Sequence, residues 1–103
     1  MKEHEVILTI VNTDYAEIVM DAARSKGATG GTILTARGAG GHEAEKLFGL
    51  TITPEKEIVM ILIEKSLRDE VMKAIIERAG LNTKGKGICF SLPVDDVMGI
   101  AED

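Results

Sequence analysis

Two glycine-rich segments hold the residues best suited to gripping a ligand. The first, Asn82-Thr83-Lys84-Gly85-Lys86-Gly87, sets two lysines among two glycines. Glycines free a backbone to aim several N–H groups at one point, and lysines add positive charge, which together suit a phosphate. A solvated turn whose glycines meet tight φ/ψ demands has the same composition, so the motif alone is weak. The second, Arg37-Gly38-Ala39-Gly40-Gly41, places one cation beside three glycines. It has neither the G-x-x-x-x-G-K-[ST] spacing of a P-loop nor a dinucleotide fingerprint.

Acid–base and metal chemistry are less well served. His42 and Glu43 are adjacent and, with His4, are the candidates for metal ligation or proton transfer. Neighbours on a glycine-rich loop lack the fixed geometry of a catalytic pair, and no other Asp or His orients them. A solvated histidine is the plainer reading. Cys89, beside Phe90, suits a small core position better than a nucleophile. Asp95 and Asp96 are consecutive and read as surface charge. No catalytic residue and no metal site is expected, and the chain is expected not to be an enzyme.

The elements that position these segments follow from the pattern of apolar residues. The 103 residues are 45% hydrophobic but only 3% aromatic, so one domain with an aliphatic core is expected over 1–103. A net charge of −5 and the lack of a basic stripe argue against binding nucleic acid through its phosphates. The N-terminus, Met1-Lys2-Glu3-His4-Glu5, has no apolar signal core, and no apolar run is long enough to span a bilayer. A cytoplasmic protein without membrane insertion is expected. A single cysteine rules out a disulfide framework.

Val6–Val11 has the pattern of a strand, with Val6, Leu8 and Ile10 on one face and Ile7, Thr9 and Val11 on the other. A helix follows, with Asp14 as its expected cap, Glu17 completing a capping box, and an apolar stripe of Tyr15, Ile18, Val19, Ala22 and Ala23. Lys26 and Gly27 close it. Thr32–Ala36 is a second strand. Ile58–Ile63 is a third, apolar at every position. Ser66 is the expected cap of a second helix, whose stripe is Leu67, Val71, Ala74 and Ile75 and whose stop is Gly80. Ile88–Leu92 is a fourth strand, with Pro93 as its expected end; Val94–Asp103 is left without an assignment.

The two halves repeat. Val19-Met20-Asp21-Ala22 matches Val71-Met72-Lys73-Ala74, and the expected caps Asp14 and Ser66 fall at the same offset. Two βαβ units give an α+β, ferredoxin-like split βαβ fold (βαββαβ), with a four-stranded antiparallel sheet and two helices on one face. A doubly wound α/β sheet is the runner-up, but two helices are too few to cover both its faces. A bare sheet face should alternate apolar with polar residues. The strands Val6–Val11 and Ile58–Ile63 are apolar on both faces, so the second face must be buried against other copies of the chain. Between the halves lies the connection 37–54. It is rich in glycine and charge, has Leu47 and Phe48 as apolar anchors, and is expected to be mobile in the free protein.

These residues resemble the PII signal-transduction proteins of the nitrogen regulatory P-II superfamily. The resemblance rests on Gly30-Gly31-Thr32-Ile33, Gly38-Ala39-Gly40, Gly41-His42-Glu43, Lys46-Leu47-Phe48-Gly49, Lys73-Ala74-Ile75-Ile76, Gly85-Lys86-Gly87-Ile88 and Phe90 with Pro93-Val94-Asp95-Asp96, and covers nearly the whole chain. It implies a homotrimer that binds an adenine nucleotide (AMP, ADP or ATP) in clefts between subunits. The expected nucleotide-binding residues are Gly30, Thr32, Arg37, Gly38, Gly40, Lys84, Gly85, Lys86 and Gly87. The segment 37–54 corresponds to the family's T-loop, with His42, Glu43, Leu47 and Phe48 expected to meet a protein target, whether transporter, enzyme or regulator.

The chain departs from the family at its cations. Ile88 stands where the family's second glycine loop has a lysine, Gly99 and Ala101 where it has two arginines, Gly41 at a further arginine, and Met60 at an acidic position. AMP or ADP is therefore expected to compete well with ATP. The loop is short and has no tyrosine, so the family's uridylylation has no acceptor there. Two further functions fit the sequence: a CutA-like metal-binding trimer with His42 and Glu43 as ligands, and an oligomerisation module without a ligand.

Overall fold

The computed structural model describes residues 3–38, 45–47, 50–52, 55–82 and 87–100, with the backbone alone at 45–47 and 50–52. The strands are β1 (His4–Asn12), β2 (Thr32–Arg37), β3 (Glu45–Leu47), β4 (Leu50–Ile52), β5 (Glu55–Glu64) and β6 (Gly87–Val94), and the helices are α1 (Ala16–Ser25) and α2 (Arg68–Ala79). Four strands form one antiparallel sheet in the order β2-β5-β1-β6. Both helices lie on the same face, α1 over β5 and β1, α2 over β6 and β1, and they pack against each other. This is the ferredoxin-like βαββαβ arrangement.

The core lies between helices and sheet. Ile7, Val11, Val59 and Ile61 are fully buried there, with Val19, Ala22 and Ala23 of α1 and Val71 and Ile75 of α2 closing over them. Alternation in β1 is strict: odd residues from Glu5 to Val11 are buried, and even ones are half-buried. Thr9 is thus fully enclosed while Leu8 is not. Its hydroxyl donates to Cys89 Sγ at 3.5 Å, so the polar atom keeps a partner inside the core.

The expected caps are corrected by the structure. Short 3₁₀ turns, Thr13–Tyr15 and Lys65–Leu67, lead into α1 and α2, and Asp14 and Ser66 sit inside them with no side-chain cap bond at either helix start. Tightened i→i+3 turns extend a helix start backwards, which moves the cap position away from the residue that the spacing indicates. The repeat itself holds, because these turns have the same offset as the expected caps. In α1 the buried stripe takes in Ala16 and Met20, whereas Ile18 is 36% exposed. Gly27 and Gly80, both at positive φ, follow the helix ends.

Two further differences concern extended segments. The connection 37–54 contains an antiparallel ribbon, β3 paired with β4, with Glu45 opposite Ile52 and Leu47 opposite Leu50. β6 runs through Pro93 to Val94. It is an edge strand, where a proline whose missing N–H would face solvent is tolerated.

Candidate functional site

One row of the sheet register crosses all four strands: Thr35, Glu57, Val11 and Gly87. Just beyond it, β2 ends at Arg37, which stands exposed opposite Glu55, and leads into Gly38. At the far edge of the same end, β6 begins at Gly87. A Cβ there would collide with the Ile10 carbonyl oxygen and stand 3.0 Å from Val11 Cγ1, on a backbone at φ +151. Glycine is therefore required at position 87 by crowding alone.

Arg37 with Gly38, and Gly87, thus stand at the same end of the sheet on opposite edges. Three strand spacings separate β2 from β6, about 14 Å. Arg37 and Gly38 do not converge with Gly87 inside one chain. Gly40, Lys84, Gly85 and Lys86 lie outside the described residues, as do His42, Glu43 and Phe48 of the expected partner surface. Leu47 belongs to β3, placed by its backbone opposite Leu50.

A cation that the sequence reading missed lies beside Arg37. Lys56 stands opposite Ala36 and Asn12 in the next row; it is only 8% exposed, and its Nζ donates to Asn12 Oδ1 at 2.8 Å. A buried ammonium is costly without such partners. Its signal in the sequence is faint: a lysine placed just before the apolar run Ile58–Ile63.

Gly30 and Thr32 lie elsewhere, at the other end of β2, in an open groove of about 750 Å³. Ala28, Met60, Leu62 and Leu67 supply much of its apolar lining, and His4, Glu64, Thr29 and Thr32 its polar groups. His4 is opposite Glu64 in the register. Gly31 is needed where this loop crosses β5, because a Cβ there would stand 2.8 Å from the Met60 carbonyl oxygen. Five residues of extended chain, about 17 Å, separate the groove from Arg37.

Other polar groups are structural. Arg68 Nη1 donates to both Glu5 carboxylate oxygens at 3.0 Å, and Arg68 Nε to Asp69 Oδ1 at 3.0 Å. The Asp69 and Glu5 carboxylates raise the guanidinium pKa above its ordinary value. The Glu5 side chain is 7% exposed, so this pair ties the first turn of α2 to the start of β1. Burial pushes the Cys89 thiol up, with the Thr9 hydrogen bond opposing in part, which makes it a poor nucleophile at neutral pH. Among the described residues no group of three or more His, Cys, Asp or Glu could hold a metal ion, and no helix is long and apolar enough to cross a membrane.

The nitrogen regulatory protein P-II family model matches residues 4–103. No curated protein gives a significant match. Among solved structures, the PII protein of Arabidopsis thaliana bound to citrate is 27% identical, covering 96% of this chain and 84% of that one, with a TM-score of 0.75. Sheet order, helix placement and the family match over nearly the whole length agree: the chain belongs to the nitrogen regulatory protein P-II family.

Proposed function

We propose that the protein is a non-catalytic PII-like signalling protein, a homotrimer that binds an adenine nucleotide or related small anion in its subunit clefts and regulates a partner protein through residues 37–54. The observation that carries this is the position of the two glycine segments. Gly38 and Gly87, where the two segments meet the sheet, lie at one end of it but at opposite edges, so a site that uses both segments is completed by a neighbouring copy.

The open face of the sheet supports the same assembly. Rows of apolar residues run across it: Val6 with Leu62 and Leu92, Leu8 with Met60 and Phe90, and Ile10 with Ile58 and Ile88. Met60, Leu62, Ile88 and Leu92 are between 37% and 55% exposed in the single chain, and such a contiguous patch marks an interface. A second copy of the chain is its natural occupant, as the only partner certain to be present whenever the protein is. Bound citrate in the Arabidopsis protein is a small polyanion, which suits a site whose cations are Arg37, Lys84, Lys86 and the buried Lys56. A cytoplasmic location goes with this reading.

Calorimetric titration of AMP, ADP and ATP, with and without divalent metal, tests the ligand. Lys86→Ala should weaken binding about ten-fold, since a charge-assisted contact is worth roughly 1.5–3 kcal/mol and about 1.4 kcal/mol is a factor of ten. AMP and ADP should rival ATP. Affinity indifferent to substitution of Arg37, Lys84 and Lys86 would place the anion elsewhere.

A further inference from the structure

The groove beside Gly30 and Thr32 has an unexpected wall. The chain leaves β6 at Val94, opposite His4, and six residues later Ile100 lines the groove together with Met60, Leu62 and Thr32. Its neighbour Met98 is 95% exposed, while Ile100 is 42% exposed. The residue between them, Gly99, has φ +92, yet a Cβ there would meet nothing within 4 Å. Conformation rather than space therefore calls for glycine at position 99, and the turn that it makes delivers Ile100 to the groove. The other lining groups are apolar or backbone apart from His4, Glu64, Thr29 and Thr32, with no lysine or arginine among the described ones. Such a lining suits an uncharged group with hydrogen-bonding edges better than a phosphate, and the planar base of the ligand proposed above is one such group.

We propose that Ile100 is a plug: the C-terminal segment seats it in the groove of the free protein, and a planar ring must displace it to enter. The tail then has two positions, in the groove or released with Met98 and Ile100 both exposed, and ligand shifts it between them by binding only the open one. Binding is weakened by the fraction of time that the plug is in place. The ring's identity as a nucleobase rests on the function proposed above; the plug itself does not.

The test compares the full chain with one ending at Gly99. Adenosine, which has the ring and no phosphate, should bind about ten-fold tighter to the shortened chain, and Ile100→Asp should act in the same direction. Unchanged or weaker binding would overturn the plug, the second by making Ile100 a ligand contact. Methyl NMR of the free full chain should give cross-relaxation between Ile100 and Met60 or Leu62; its absence also overturns the proposal. If neither chain binds adenosine, the nucleotide reading falls, and the uncharged dye Nile red decides the plug. Several-fold tighter binding of that dye to the shortened chain supports it, and equal binding overturns it.

Discussion

The two faces of the sheet are nearly equal in apolar content and opposite in fate. On one, Ile7, Val11, Val59 and Ile61 are fully buried beneath α1 and α2. On the other, one residue away along the same strands, Met60 and Leu62 are more than a third exposed. A single chain can cover only one face with two helices, so the helix face completes the protomer and the open face is the one that the proposed assembly covers. In the proposed homotrimer, stability and assembly thereby fall to alternate residues of the same strand.

Substitutions on neighbouring residues should separate these roles. The largest effect is expected on the helix face. Ile61→Ala removes buried methyl groups and leaves a cavity, at a cost of about 2–5 kcal/mol, measurable as a lowered denaturant midpoint. An equally low midpoint for Leu62→Ala under conditions that dissociate the protein would erase the distinction between the faces.

Met60→Asp should do the reverse. On the half-open face of a single chain the carboxylate stays hydrated, so the far-ultraviolet spectrum should remain that of a folded protein. Burial against a second copy would strand an unpaired ion, which is costly enough to prevent association. Loss of secondary structure in this variant would show that the open face belongs to the protomer's own core.

A smaller effect belongs to the tie between β1 and α2. Arg68→Ala leaves the enclosed Glu5 carboxylate without its bidentate partner and should lower the thermal midpoint by a few degrees. Glu5→Leu with Arg68→Leu, which removes both charges from the helix face, should lower it less or raise it. If the single substitution is silent, Glu5 is better solvated than its 7% side-chain exposure implies.

The smallest effect concerns Cys89. Its raised pKa favours the neutral thiol in the folded state, so any stability from this group is present below the ordinary thiol pKa and fades as pH rises through the raised value. Disulfide exchange with an aromatic probe should be slow in the folded protein at neutral pH and fast in denaturant. Fast labelling of folded protein would mean that the thiol is not shielded between β6 and the helices.

Much of the fold was legible because the periodicities are unambiguous: strand, helix and strand recur around Val19-Met20 and Val71-Met72, and two helices cannot cover two apolar faces. Which face of β1 would be covered was not legible. Leu8 is more apolar than Thr9, yet Thr9 lies inside, because Cys89 satisfies its hydroxyl and Leu8 belongs to the outer set. The helix starts were misplaced because 3₁₀ turns precede them. The ribbon within 37–54 was missed because its strands are three residues each, too short for an alternation to show. At the candidate site, Arg37 and the glycine segments stood out by type. The buried Lys56 and the groove wall at Ile100 did not, since each depends on register or on a chain reversal that no local pattern encodes.

Sedimentation equilibrium of the intact protein at micromolar concentration tests the division of labour between the two faces most directly. The proposed homotrimer, in which neighbouring copies cover Val6, Leu8, Ile10, Met60 and Leu92, predicts a particle of three times the 11.1 kDa protomer mass. A folded, monodisperse monomer would contradict it, leaving the open face in water and the two glycine segments with no neighbour to complete a site.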